Sequence, residues 1–131
     1  MAKANKDEER VYKVDIIKEV GQFTNKEKVI LVTGAETTGV EEIYTNGETI
    51  KPVKYAVLHT VNSASEDGEY DTLIIFTEDG RLISTGSKAF TESFEAIYEI
   101  MKDSDEEWGI MVASKESKNY KGKSFYKAVL V

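Results

Sequence analysis

One segment has an unmistakable helical pattern. Across Ser87–Lys102 (SKAFTESFEAIYEIMK), Phe90, Phe94, Ile97 and Met101 recur at i, i+4, i+7 and i+11, with Ile100 beside them. Glu92, Glu95 and Glu99 mark the face expected in solvent. Elsewhere the apolar runs are short and rich in β-branched and aromatic residues. Lys28–Thr33 (KVILVT) reads as a first core strand and Thr49–Val61 (TIKPVKYAVLHTV) as a long second one, with Pro52 announcing an edge or bulge near its start. Tyr70–Thr77 (YDTLIIFT) is the third, turned by Asp79-Gly80 into a short partner, Arg81–Ser84. Ile110–Ala113, led in by Trp108, and Phe125–Leu130 make a terminal hairpin around the polar loop SKESKNYKGKS. Asn46-Gly47 and Asp67-Gly68 are turns. Gly34–Tyr44 is a loop with a helical turn at Val40–Tyr44. Val11–Val20 fits two periods: Val14, Ile17 and Val20 suit a helical stripe, and Tyr12, Val14 and Ile16 suit strand alternation. With Gly21 available to stop it, the segment is read as a short helix packed on the domain.

Three long strands, one amphipathic helix and two further strands are the order of an OB-fold. The expected fold is therefore mainly β, an OB-like five-stranded barrel with the helix between strands 3 and 4 plugging one end. Residues 1–10 are charged and small and read as a flexible tail, leaving residues 11–131 as a single domain. No cysteine is present, so neither a disulfide framework nor thiolate chemistry is available. No apolar run is long enough to span a membrane and the first residues lack a signal core, so a cytoplasmic location is expected.

Most catalytic chemistries fail on inventory. His59 is the only histidine, which excludes N/S zinc sites, and the acidic run 103–107 lacks the spacing of a calcium loop. Gly34 and Gly39 have the spacing of a phosphate loop, but Val40-Glu41 follows where Lys-Ser/Thr is required. His59 lies mid-strand and no nucleophile elbow accompanies it. No catalytic residue, metal or cofactor is assigned.

Charge makes the hairpin stand out. The chain carries a net charge of −7, yet residues 115–127 hold Lys115, Lys118, Lys121, Lys123 and Lys127 against Glu116 alone, a net +4. Lysines interleaved with aromatics are what single-strand binding uses: cations for the backbone and ring faces for bases, each stack worth about 1–3 kcal/mol. On the last strand Phe125, Lys127 and Val129 alternate with Tyr126, Ala128 and Leu130. A lysine is costly in a core, so the Lys127 face should point outward and carry Phe125 with it. The competing reading packs Phe125 under the loop. Tyr120, in the polar loop, is a further candidate. On the second strand Lys51, Tyr55 and His59 share a face, with Tyr55 and His59 balanced between base stacking and core packing. Trp108 reads as a cap on the helix end. A second class of function is an interaction module that docks the basic 115–127 hairpin on an acidic protein surface.

The run from Asn46 to Val131 resembles the small single-stranded DNA-binding proteins of tailed phages of Gram-positive bacteria. The resemblance rests on NGETI entering a long strand, YDTLIIFTEDGRLIS, the Ser-Lys-led helix GSKAFTESFEAIYEIM, and KGKSFYKAVLV. It implies an OB-fold, no enzymatic activity, and sequence-tolerant coating of single-stranded DNA displaced during replication. By position, the family's C-terminal aromatic pair would fall on Phe125 and Tyr126. Replication proteins are implied as further partners, although no acidic-aromatic recruiting tail is present. Val11–Phe23 matches nothing in that family pattern.

Overall fold

The computed structural model describes residues 11–64, 68–117 and 123–131. The fold is mainly β, in two sheets, neither of which closes into a barrel. In chain order the elements are β1 (Tyr12–Val20), α1 (Asn25–Thr33), β2 (Thr38–Gly39), α2 (Val40–Asn46), β3 (Thr49–Ile50), β4 (Pro52–Asn62), β5 (Glu69–Thr77), β6 (Leu82–Thr85), α3 (Lys88–Met101), β7 (Ile110–Glu116) and β8 (Ser124–Leu130). The larger sheet runs β1-β4-β5-β6-β2 and the smaller β3-β7-β8.

Two expectations are corrected at the N-terminal end. Lys28–Thr33 is not the first core strand but most of α1. Local end signals override its β-branched composition. The Thr24 hydroxyl accepts the Glu27 N–H at 3.1 Å, and the Glu27 carboxylate accepts the Thr24 N–H at 2.8 Å, completing a capping box. Gly34, at φ 115°, closes the other end by donating to the Ile30 carbonyl. Of this helix only Leu31 is buried, and Val29 and Ile30 remain exposed.

Val11–Val20, in turn, is not a helix: β1 pairs antiparallel with β4 along its length. A bulge sits between Ile16, opposite Leu58, and Lys18, opposite Val57, leaving Ile17 without a partner. Before the bulge Val14 and Ile16 pack toward α1; after it Val20 packs toward the opposite core. The apolar Ile17 at the bulge, 56% exposed, completes a Val14–Ile17–Val20 spacing that mimics a helical stripe although Val14 and Val20 face opposite cores.

Both faces of β4 are covered, which explains why neither reads as polar. Ala56 and Leu58 join Ile74 and Leu31 beneath α1. Tyr55 and Val57 face the main core of Leu73, Ile75 and Ile83, closed by Phe90, Phe94 and Tyr98 of α3 and by Ile110, Val112 and Ala128 of the small sheet. The turn predicted at Asn46-Gly47 is present, with Gly47 in the left-handed region at φ 63°.

Thr49–Asn62 connects the two sheets. Its first residues pair with β7 and its remainder with β1 and β5. The irregularity expected near Pro52 falls between Pro52 and Lys54. There the Val53 carbonyl accepts the Tyr98 hydroxyl at 2.8 Å, fastening α3 to the junction. On the far side of α3 the Ser93 hydroxyl accepts the Ala128 N–H at 2.8 Å. The outer edge of β8 therefore meets a helix, while the outer edge of β6 is taken by the short parallel strand β2. Those two contacts occupy the edges that would have to join in a closed barrel.

Candidate nucleic-acid interface

The two strands of the hairpin pair antiparallel without a bulge. Lys115 pairs with Phe125, Ala113 with Lys127, and Met111 with Val129, and partners directly opposite share a face. This outward face carries Phe125, 38% exposed, between two exposed lysines, one across from it and one two residues on. Tyr126 faces the other way, packed on the main core with its ring 5.6 Å from that of Tyr44. Of the aromatic pair Phe125 and Tyr126, only the first is presented to solvent with the lysines.

A groove of about 570 Å³ runs beside this face. Lys115, Glu116, Phe125 and Lys127 form one wall, and Ala89, Glu92 and Ser93 of α3 form the other. The Ser93–Ala128 hydrogen bond fixes how the walls meet. Among the described residues Lys115 and Lys127 make no ion pair. Most other cations are engaged, Lys18 with Glu95 at 2.6 Å, Lys54 with Glu27 at 2.7 Å and Arg81 with Glu48 at 2.9 Å. Lys123 is exposed at the start of the returning strand. Lys118, Tyr120 and Lys121 lie outside the described residues.

The second-strand candidates do not join this site. Tyr55 is a core residue, 3% exposed, with its ring edge-on to Phe94 and Tyr98 at 5.0 and 5.1 Å. Its hydroxyl donates to Glu95 at 3.2 Å, and burial, followed by the Glu95 charge, raises its pKa. No base can reach it.

His59 lies in a different groove, of about 1040 Å³, between the β4–β5 face and the opposite flank of α3. Its Nδ1 is 2.6 Å from Asp71 and its Nε2 3.0 Å from Glu69. The hydrogen bond to Asp71 and then that to Glu69 raise its pKa. Two carboxylates spend its charge and make the surroundings inhospitable to phosphate. Helix α3 stands between the two grooves, and Glu92 lines both. Lys51 is exposed ahead of β4 and lines neither.

Glu92 was legible only as a solvent-facing helical acid; its place on the groove wall follows from how α3 docks on β8, which periodicity does not specify. Glu95 departs from that expectation altogether, since it is held by Lys18 and Tyr55. Trp108 packs on the core with its ring 6.0 Å from Tyr98, near the helix end as expected. No group of three or more His, Asp or Glu side chains is placed to hold a metal among the described residues. No helix among them is long and apolar enough to cross a membrane.

No family model, no curated protein and no solved structure matches the chain.

Proposed function

We propose that this chain binds single-stranded DNA without a strict sequence requirement, with Phe125 as the stacking platform and Lys115, Lys123 and Lys127 along the backbone path. The observation that carries the reading is the outward Phe125 ring set among exposed lysines, of which Lys115 and Lys127 make no ion pair among the described residues. A partly exposed aromatic beside unneutralised cations has little structural purpose and suits a base with its phosphates. The resemblance supplies the setting, coating of displaced strands in phage DNA replication inside the host cell, with replication proteins as further partners. No reaction is ascribed to the site.

The same reading treats the fold as an opened OB barrel counted from Thr49. Strand 1 is then the bridging stretch of β3 and β4, strands 2 and 3 are β5 and β6, α3 follows, and β7 and β8 are strands 4 and 5. The antiparallel pairings β4–β5, β5–β6, β3–β7 and β7–β8 support it. The outer side of the first strands, where OB-folds commonly bind ligands, lies under Leu31 of α1 and under Phe23, which precedes that helix. The hairpin is left as the open part of the usual binding region.

The test is fluorescence anisotropy with a labelled oligo-dT about 16 nucleotides long, the upper site size of one such domain. Binding should weaken as salt rises from low to moderate concentration. With two to four lysines on phosphates, log affinity against log salt should slope at about −1.4 to −2.8, from about −0.7 per phosphate. Absence of binding, or a flat response, would overturn the proposal.

A further inference from the structure

Resting on the single-strand reading of the hairpin groove, we infer that Glu92 reads the edge of the base stacked on Phe125 and gives the site a preference for guanine over thymine. The groove holds an aromatic face, Phe125; cations, Lys115 and Lys127; and two carboxylates, Glu116 beside Lys115 on the hairpin wall and Glu92 facing them from the α3 wall. The first two account for stacking and for phosphate. A carboxylate in a site for a polyanion works against affinity unless it accepts hydrogen bonds from the ligand.

Glu92 is exposed and has no ion pair or hydrogen bond among the described residues. The other carboxylate on its stretch of helix, Glu95, is committed to Lys18 and Tyr55. Ser93, its neighbour, is also spent, donating to the Phe90 carbonyl and accepting from Ala128. Glu92 is thus the acceptor that α3 offers the groove, and Ala89 one turn earlier leaves space beside it.

Unpaired bases are read on their Watson–Crick edges. A carboxylate has acceptors only. Guanine presents two adjacent donors on that edge, N1–H and N2–H, which the two carboxylate oxygens can accept together. Cytosine and adenine offer one amino group each. Thymine offers N3–H between two carbonyls that repel the carboxylate. The order of preference is therefore guanine first, cytosine and adenine next, thymine last. In a solvent-exposed groove the discrimination belongs at the low end of a bidentate contact, about 5-fold between guanine and thymine.

The experiment displaces labelled oligo-dT from the full chain with unlabelled competitors of equal length, an alternating thymine–guanine oligomer against oligo-dT. Lithium buffer and alternation keep guanines out of quadruplexes. The thymine–guanine oligomer should compete about 5-fold better for the wild type and equally well for Glu92→Ala. That variant should also bind oligo-dT somewhat tighter, because a negative charge has left the phosphate path, and the thymine–guanine oligomer no tighter, because the base contact is lost with the charge. The ratio of competitors isolates base reading from that charge effect. Equal competition in the wild type, or a preference that survives in Glu92→Ala, overturns the inference while leaving single-strand binding intact. Failure of the labelled oligo-dT to bind at all sinks the underlying reading instead.

Discussion

Phe125→Ala and Tyr126→Ala, neighbours with opposite side-chain directions, separate binding from folding at the hairpin. Phe125 is 38% exposed on the outward face. Its truncation removes a ring already partly in water, so the stability cost should be about 1–2 kcal/mol, below the figure for a fully buried aromatic. The binding cost is that of one lost base stack, about 1–3 kcal/mol, which raises Kd by about 5- to 150-fold. Tyr126 is half-buried against the main core and contacts Tyr44. Its truncation should cost about 2–4 kcal/mol of stability and affect binding only through the unfolded fraction. Urea melts give the first quantity; oligo-dT anisotropy, at a temperature where both variants are folded, gives the second. The reasoning is refuted if Tyr126→Ala stays stable yet binds poorly, because Tyr126 would then be the platform. Two variants that both bind as tightly as wild type would remove the nucleic acid from this face and leave the hairpin to an acidic protein partner.

The remaining expectations concern the scaffold. His59, the sole histidine, should give one imidazole NMR titration with its midpoint above the ordinary value, and Asp71→Asn should lower it more than Glu69→Gln. Because the folded pKa is the raised one, the stabilising charge is fully present below the unfolded value of about 6.5 and is lost as pH rises through the folded value. The melting temperature should fall over that window, and His59→Gln should remove that part of the slope. Thr24→Ala should cost about 1 kcal/mol in urea melts by opening the capping box of α1, and Thr24→Ser should restore most of it. Gly21 has φ +105° and a Cβ there would lie 2.6 Å from the Lys54 Cβ, so Gly21→Ala should destabilise by about 1–3 kcal/mol; an unchanged melt would show that β1 and β4 separate easily at that end.

The helix α3, the strands β4, β5, β7 and β8 and the outward side of Phe125 were all legible because each rests on a periodicity long enough to be unambiguous. The N-terminal third was not. In β1 a single bulged residue, Ile17, produced a false helical spacing. In α1 the sequence VILVT favours a strand, and the decisive signal was the Thr24/Glu27 pair three residues apart, reinforced by Lys54 reaching Glu27 from β4. A local cap and a distant cation jointly outweigh the β-branched propensity of a short segment, and only the first of these can be seen in sequence. For the site, composition identified the lysine hairpin, but could not say that Tyr55 would be sealed beneath α3 or that α3 would divide the two grooves. Those outcomes depend on where one helix docks, a tertiary arrangement in which Phe90, Phe94 and Tyr98 are buried in the core and the Tyr98–Val53 and Ser93–Ala128 hydrogen bonds join the helix to its neighbours.

An acidic chain can present a nucleic-acid surface because its charges are segregated as well as summed. Six of the described cations are tied to carboxylates: Lys13 to Asp15, Lys18 to Glu95, Lys28 to Glu19, Lys54 to Glu27, Lys102 to Glu99, and Arg81 to both Glu48 and Asp79. Exposed pairs of this kind contribute little to stability, but each cancels a charge that a phosphate could have found. Lys26, Lys51, Lys88, Lys115 and Lys127 make no such pair among the described residues, and of these Lys115 and Lys127 flank Phe125. Screening confines a surface charge to about 10 Å at ordinary salt, so the acidic remainder does not erase the local attraction of the hairpin. It disfavours phosphate elsewhere, including at His59, whose charge faces Glu69 and Asp71. On the proposed reading a strand would meet the protein at the Phe125 face, with the Glu92 carboxylate across the groove from it.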